Sequence, residues 1–488
     1  MAIKQDPKVK SFETRLFING KFVDASDGGK FDLISPTTNE KFAEVSEATE
    51  EDANAAVAAA KAAFPAWSAL SPSERGVYFK KLAALIIESH DELAEIEALS
   101  MGRPVSGYFE SYVAANSLNH YAESGHQALG TSSLNTPGFL NMTLRQPYGV
   151  VGAIIPWNVP VLFLINKSAP ALMAGNTVVV KSSEKAPLTS AKVATLVEKA
   201  GFPPGVFNII SGHGQVSGSV LSHHMDIRVI SFTGSGRTGR LIQQASAKSN
   251  LKNVILELGG KSPAIIFPDA NLERAVKETA YSVQWNSGQV CMANSRIYVH
   301  ESIAPEFIEL FQKGFANIRS GDPLLPGTNH GPQADGIQYK QVQAYIEEGK
   351  KTGKMVLGSE PSEHESGFFV QPTIFLETPE ESKIMKEEIF GPVVNINTFK
   401  DEDEVVAKAN DTEYGLYAAV YTRDVSRALR MAKKLDSGSV GVNCTSPSGA
   451  ADMPFGGYKA SGVGREGWTV SMDNYLEVKT VLIRVDEE

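Results

Sequence analysis

Cysteine is nearly absent from this chain of 488 residues, which has only Cys291 and Cys444. Two thiols do not make a disulfide framework, and they fit a reducing compartment. Long apolar runs are missing too: none approaches the ~20 residues needed to cross a bilayer. Met1 to Phe12 is polar with spaced lysines, so no secretory signal is read. Single-sign charge blocks are also lacking. The net charge of −10 comes from 46 basic and 56 acidic residues spread along the chain, which argues against a nucleic-acid or membrane partner. The last residues, Arg484-Val485-Asp486-Glu487-Glu488, carry no peroxisomal or retention tripeptide. His223-His224 has no companion cluster at zinc spacing, so no metal site is expected. Gly260-Lys261-Ser262 is no phosphate loop, because Ile255 stands where the first glycine is required. There is no internal repeat. The expectation is a cytoplasmic protein.

What is present is a globular composition, 42% apolar and 21% charged, in a chain too long for one core, so two or three domains are expected. Ser71-Pro72-Ser73-Glu74 predicts a capped helix start. Leu82, Leu85, Ile86, Leu93, Ile96 and Leu99 then recur at helical spacing until Gly102 and Pro104. Ala53 to Ala63 reads as a further helix. From residue 150 the rhythm changes. Val150 to Ile155, Thr177 to Val180, Val206 to Ile210 and Ile227 to Phe232 are continuous β-type runs separated by helical patterns such as Leu188 to Ala200. That alternation predicts α/β layers around a parallel sheet. A second α/β rhythm follows Lys261: Ala264 to Phe267, a helix from about Leu272 to Gln284, then Arg296 to Val299. Glu477 to Ile483 predicts an isolated terminal strand that must join a sheet, in this chain or in a neighbouring subunit.

Cys291 lies in Gly288-Gln289-Val290-Cys291-Met292, in a helix-to-strand loop with small neighbours. That suits a nucleophile which a substrate must reach. Glu257, in Leu256-Glu257-Leu258-Gly259-Gly260-Lys261, is an acid in an apolar setting, as a general base with a raised pKa requires. Gly234-Ser235-Gly236-Arg237-Thr238-Gly239 contains a literal dinucleotide fingerprint, with Glu257 downstream as a candidate ribose acid. That version leaves Cys291 without a partner. What stands is the physical part, that glycines and Ser235 at a helix start present N–H groups to a phosphate. In Pro156-Trp157-Asn158, after a strand, the amide suits an oxyanion donor or a plain turn. Lys181-Ser182-Ser183-Glu184 suits a nucleotide ribose or a solvated charge pair. Glu388 sits in Glu387-Glu388-Ile389-Phe390-Gly391-Pro392, which also reads as an exposed acidic helix end.

Taken together, in this order and with Pro454-Phe455-Gly456-Gly457, these segments resemble the NAD(P)-dependent aldehyde dehydrogenase superfamily over nearly the whole chain. The resemblance implies Cys291 as nucleophile, Glu257 as base, and the Asn158 amide with the Cys291 N–H as oxyanion hole. It implies a cofactor site of Trp157, Lys181, Glu184, Gly214, Gly234, Ser235, Glu388 and Phe390. NAD is the expected cofactor, with NADP the weaker fit. Phe163, Asn166, Trp285, Gly449 and Phe455 fall on the family's substrate tunnel, and Gly449 in place of a bulky residue suggests a roomy pocket for medium or aromatic aldehydes. The implied fold is a Rossmann-like parallel-sheet NAD-binding domain (1–130 and 150–260), an α/β catalytic domain (261–474) and a small β oligomerisation arm (131–149 and 475–488). A homo-oligomer, dimer or tetramer, is expected.

The implied chemistry explains the residue types. A thiolate adds to an aldehyde carbonyl, hydride leaves, and the resulting thioester is hydrolysed by water that Glu257 activates. Ser182 replaces the family's frequent proline. Val290 and Met292 stand where some relatives carry extra cysteines, which removes disulfide protection of Cys291. Three other readings remain to be compared. Relatives that pass the acyl group to CoA tend to lack the glutamate base. A cofactor-free esterase would not need the nucleotide motifs. A non-catalytic scaffold would not need Cys291, Glu257 and Asn158 together.

Overall fold

The computed structural model describes residues 7–9, 11–358, 364, 366–468 and 470–485. Five strands form the parallel heart of the first sheet, in the spatial order Asn253–Glu257, Ile227–Thr233, Val150–Ile154, Thr177–Lys181, Phe207–Ile210. Every residue of Val150–Ile154 and of Thr177–Lys181 is buried, as strands covered on both faces must be. Chain order reverses between Val150–Ile154 and Ile227–Thr233. A ligand crevice opens at such a switch point, beyond the carboxyl ends of the strands. Trp157 and Asn158 follow the first of these strands, and Gly234 and Ser235 the second. Three short antiparallel strands complete the edges: Leu16–Ile18 and Lys21–Val23 on one side, Gly462–Val463 on the other.

The second sheet runs Lys354–Leu357, Thr373–Leu376, Val393–Phe399, Arg296–His300, Pro263–Ile266, Tyr417–Tyr421, Ser439–Val442, parallel except at the first pair. Phe307, Phe311 and Phe315 recur along the helix Ala304–Ala316 and stack successively in its core. The chain is therefore mixed α/β with parallel sheets, as the alternating runs predict.

The capping box at Ser71 is present: Ser71 accepts from the Glu74 N–H and Glu74 accepts from the Ser71 N–H, opening the helix Pro72–Glu88. The apolar spacing that follows reads as one helix in sequence but makes two, Pro72–Glu88 and His90–Met101, broken at Ser89. Between Ile86 and Leu93 no apolar side chain faces the core, so nothing holds that turn in line. Gly102, left-handed at φ 77°, ends the second helix where sequence places the stop.

The terminal strand Leu476–Arg484 finds its partner in the same chain. It pairs antiparallel with Phe139–Pro147 over its whole length, and Ser132–Ser133 adds a short third strand.

Candidate active site

The helix Leu272–Gln284 ends against a turn whose backbone is forced left-handed at three successive residues: Asn286 (φ 50°), Ser287 (φ 53°) and Gly288 (φ 77°). Glycine takes that conformation freely and asparagine tolerates it, but serine pays for it. Buried bonds hold the turn. Ser287 Oγ donates to the Gly331 carbonyl at 2.8 Å, and Gln333 Nε2 donates to the Ser287 carbonyl at 3.2 Å. At Gly288 a Cβ would lie 2.1 Å from the Gly391 carbonyl oxygen, so only glycine lets this turn meet the Glu388–Pro392 segment. The turn delivers Cys291, partly exposed and a free thiol.

Glu257 ends the strand Asn253–Glu257 and is 2% exposed. Neither carboxylate oxygen has a hydrogen-bond partner. Burial pushes its pKa up to about 7, partly opposed by the Lys167 charge, the Cys291 thiol and the Thr233 hydroxyl. The Cys291 thiol is pushed well above its ordinary value, first by burial and then by the Glu257 charge. The thiol therefore stays protonated until something takes its proton, and a half-ionised carboxylate faces it.

Asn158 follows the strand end and is buried. Its Nδ2 donates to the Gln289 carbonyl at 3.1 Å, which ties it to the Cys291 loop. An amide nitrogen carries two protons, so Asn158 keeps a second N–H to donate. Gln289 is itself locked, its Oε1 accepting the Ala334 N–H at 2.8 Å and its Nε2 donating to the Asn286 carbonyl at 3.0 Å.

Among the expected cofactor residues, Glu388 reaches the loop that packs against Cys291. Its Oε1 accepts the Gly260 N–H at 2.9 Å, while a Cβ on Gly260 would lie 2.3 Å from the Cys291 carbonyl oxygen. Burial pushes Glu388 up to about 7, offset by the Gly260 bond and Lys261. Phe390 meets Trp157 edge to face, centroids 5.4 Å apart, and the Lys185 ammonium lies over the Trp157 ring. Farther along the same sheet edge, Lys181 is buried 3.6 Å from the half-exposed Glu184. Burial lowers the lysine's pKa and Glu184 pulls it back up. Gly214 opens the short helical segment Gly214–Gly218, with open space where a side chain would stand, and a Cβ on Gly218 would just reach Lys181. Ser235 caps the helix Gly236–Lys248, its Oγ accepting the Thr238 N–H, and no acidic residue occupies the first turn.

A dinucleotide fits these residues. Two unpartnered carboxylate oxygens on Glu257 and the unpartnered Thr233 hydroxyl lie at adjacent strand ends. A helix N-terminus free of acidic side chains and a lysine–glutamate pair stand beyond the same sheet edge. No group of three metal-ligating side chains occurs among the described residues.

The residues expected along a substrate tunnel have differing surroundings. Phe163 is buried with the Lys167 ammonium over its ring, and Trp285 stacks on Phe109. Phe455 exchanges both main-chain bonds with Glu466, Asn166 is half-buried, and Gly449 is exposed with open space at its Cβ position.

Sequence reading missed three contributors. Lys167, fully buried in the apolar helix Pro160–Met173, donates to Glu466 at 2.7 Å and to Ser231 at 3.1 Å, and its charge reaches Glu257. A lysine inside an apolar helix was the available signal. Thr233 directly precedes the Gly234-Ser235 motif, whereas Asn286 carried no signal, because its importance lies in the fold around it.

The aldehyde dehydrogenase family model matches residues 22–481. An aldehyde dehydrogenase of Alternaria alternata is 43% identical over 99% of this chain and 98% of its own length. Aldehyde dehydrogenase 1A1 of Homo sapiens is 43% identical over 97% of this chain and 96% of its own. A mutant indole-3-acetaldehyde dehydrogenase of P. syringae, solved with NAD+, is 38% identical with a TM-score of 0.95, covering 97% of each chain. With a complete family match laid over a buried glutamate that faces a reachable thiol, this chain belongs to the aldehyde dehydrogenase family.

Proposed function

We propose that this enzyme oxidises aldehydes to carboxylic acids with NAD, using Cys291 as nucleophile, Glu257 as base, and the Asn158 amide with the Cys291 N–H as oxyanion donors. The observation that carries the assignment is the unpartnered, half-ionised Glu257 carboxyl facing the protonated Cys291 thiol. Glu257 takes the thiol proton, and the sulfur adds to the aldehyde carbon to form a thiohemiacetal. The second Asn158 N–H stabilises the oxygen as its charge grows. Trp157, Glu388 and Phe390 would hold the nicotinamide, which when bound would accept the hydride lost by the adduct as it becomes a thioester. Once Glu257 has lost the thiol's proton to solvent it accepts a proton from water. The hydroxide adds to the thioester carbon, the carbon–sulfur bond breaks to release the acid, and the Cys291 thiolate takes the proton back from Glu257. The glutamate base separates this reading from acyl transfer to CoA.

Lys181 and Glu184 hold the adenosine ribose, the start of the helix Gly236–Lys248 with Gly234 and Ser235 holds pyrophosphate, and Gly214 gives room beside it. Trp157, Glu388 and Phe390 frame the nicotinamide end. Phe163, Asn166, Trp285 and Phe455 line the aldehyde's path, and the open position at Gly449 favours medium or aromatic aldehydes. The NAD-binding domain is 1–130 with 150–260, the catalytic domain 261–474, and the arm 131–149 with 475–488. The arm's ribbon carries Leu140, Met142, Leu144, Val481 and Ile483 on one face by its register, which supports a homo-oligomer. Among the described residues no helix is long and apolar enough to cross a membrane, and both cysteines are free, which supports a cytoplasmic location. NADH formation across aliphatic, aromatic and amino-aldehydes, with the acid product identified, tests the reading; no NADH with any aldehyde overturns it.

A further inference from the structure

Arg103 follows the helix His90–Met101 and is only 4% exposed, yet it is a cation deep in the first core. It pairs with the fully buried Glu110 and, at 3.7 Å, with the fully buried Glu97, which also accepts from Tyr108 at 3.3 Å. Removing one cation and two carboxylates from water is expensive, and apolar side chains of like volume would often serve stability as well or better. The cluster therefore asks for a reason other than stability, and the contacts of the guanidinium supply one.

Its Nη1 donates to the main-chain carbonyl of Asn158 at 3.4 Å, and its plane lies over the Trp285 ring, 4.6 Å from the centroid. Trp285 begins the strained turn that delivers Cys291. The next residue, Asn286, donates through Nδ2 to the same Asn158 carbonyl at 3.1 Å and to the Gln289 carbonyl at 3.3 Å. A carbonyl oxygen has two lone pairs, and here Arg103 takes one while Asn286 takes the other. The peptide plane after Asn158 is thereby fixed from two sides, and with it the main-chain position from which the side chain projects. That side chain returns one N–H to Gln289, two residues before the nucleophile.

We infer that Arg103 is a positioning residue for the reaction: by gripping the Asn158 carbonyl and the Trp285 ring together, it holds the oxyanion-binding amide in register with the Cys291 turn. The inference rests on the reading of Asn158 as an oxyanion donor. The expected signature is a slower chemical step without weaker cofactor binding, because Arg103 touches none of the residues assigned to the adenosine or pyrophosphate. Lysine at this position would keep the cation over Trp285 but lose the planar fork that reaches several acceptors at once.

The test measures the single-turnover rate constant of NADH formation and the Kd for NAD in the full-length enzyme. Asn158→Ala should slow the step by about 10²–10³-fold. Arg103→Met should slow it by roughly 10- to 100-fold, the scale of a small misplacement of a reacting group, with Kd for NAD unchanged. Arg103→Lys should recover part of the loss. The double variant R103M/N158A should be no slower than N158A alone, since both act on one amide. If R103M does not fold, Asn286→Ala reads the same link with the ion cluster intact and should slow the step about tenfold. Additive losses in the double variant, or an unchanged rate in both R103M and N286A, overturn the positioning role while leaving the oxyanion hole. An unchanged rate in N158A overturns the oxyanion reading itself, and the proposal with it.

Discussion

Glu388 accepts the Gly260 N–H at 2.9 Å, and a Cβ on neighbouring Gly259 would stand 2.4 Å from the same carboxylate. Residues far apart in the chain thus meet in the loop that follows Glu257, and only glycines leave room for the contact. Glu257 and Glu388 are both pushed up to about 7 by burial; the Glu466 charge adds to the rise at Glu257, and the Glu257 charge adds to that at Glu388. The site keeps two carboxyls near half-ionisation at neutral pH, which suits a base that must take up and release a proton in each turnover.

That pKa sets a pH dependence. As the proposed base, Glu257 would act in its ionised form, and its pKa stands above the ordinary carboxylate value, so kcat/KM should fall as pH drops through about 7. Glu257→Gln should lose that limb, slow the NADH burst and reduce steady-state turnover by about 10²-fold or more. The acidic limb also has to be compared in Glu388→Gln, where it should persist. A wild-type profile flat from pH 6 to 8 (roughly one unit either side of the expected pKa) would remove Glu257 as the base.

Cys291→Ala should abolish turnover while NAD still binds, and Cys444→Ala should leave turnover largely intact. Cys444 is an exposed thiol in the loop after Ser439–Val442, outside the Gly288–Met292 motif, and burial and the Glu278 charge raise its pKa. Isothermal titration with NAD, alongside NADH formation, separates the two variants. Equal loss in both would refute the assignment of the nucleophile.

Cofactor choice should follow Glu184. A 2′-phosphate would meet its carboxylate and lose the hydrogen bonds that a ribose hydroxyl offers, with Lys181, 3.6 Å away, offsetting only part. Loss of a charge-accepting hydrogen bond is worth roughly 1.5–3 kcal/mol, or about 10- to 100-fold. NAD should be preferred over NADP by at least about tenfold in kcat/KM, and Glu184→Ser should narrow the gap. Parity in the unmodified enzyme refutes this role for Glu184.

The arm offers a separate test. Replacing Val481 and Ile483 with glutamate puts charge on the apolar face that Met142 and Leu144 share, while the main-chain pairing with Phe139–Pro147 is untouched. Light scattering should find a smaller assembly than the unmodified protein. An unchanged mass would move the subunit contact elsewhere.

The strands and helices were legible in the sequence because they depend on local periodicity and on punctuation such as Ser71 and Gly102. The family was legible because Cys291, Glu257 and Asn158 stand in short motifs that follow the family's order along the chain. The break at Ser89 was less visible, since a gap between Ile86 and Leu93 still fits a helical period. Other features existed only once the chain was folded. Lys167 faces Glu257 and Glu466 across different elements, and Glu388 reaches Gly260 from over a hundred residues away. The grip of Arg103 and Asn286 on one carbonyl joins three separate segments. Sequence determines which groups are available and the local elements that carry them. Their pKa values, their unsatisfied donors and their alignment come from burial and long-range contact, which only the tertiary structure decides.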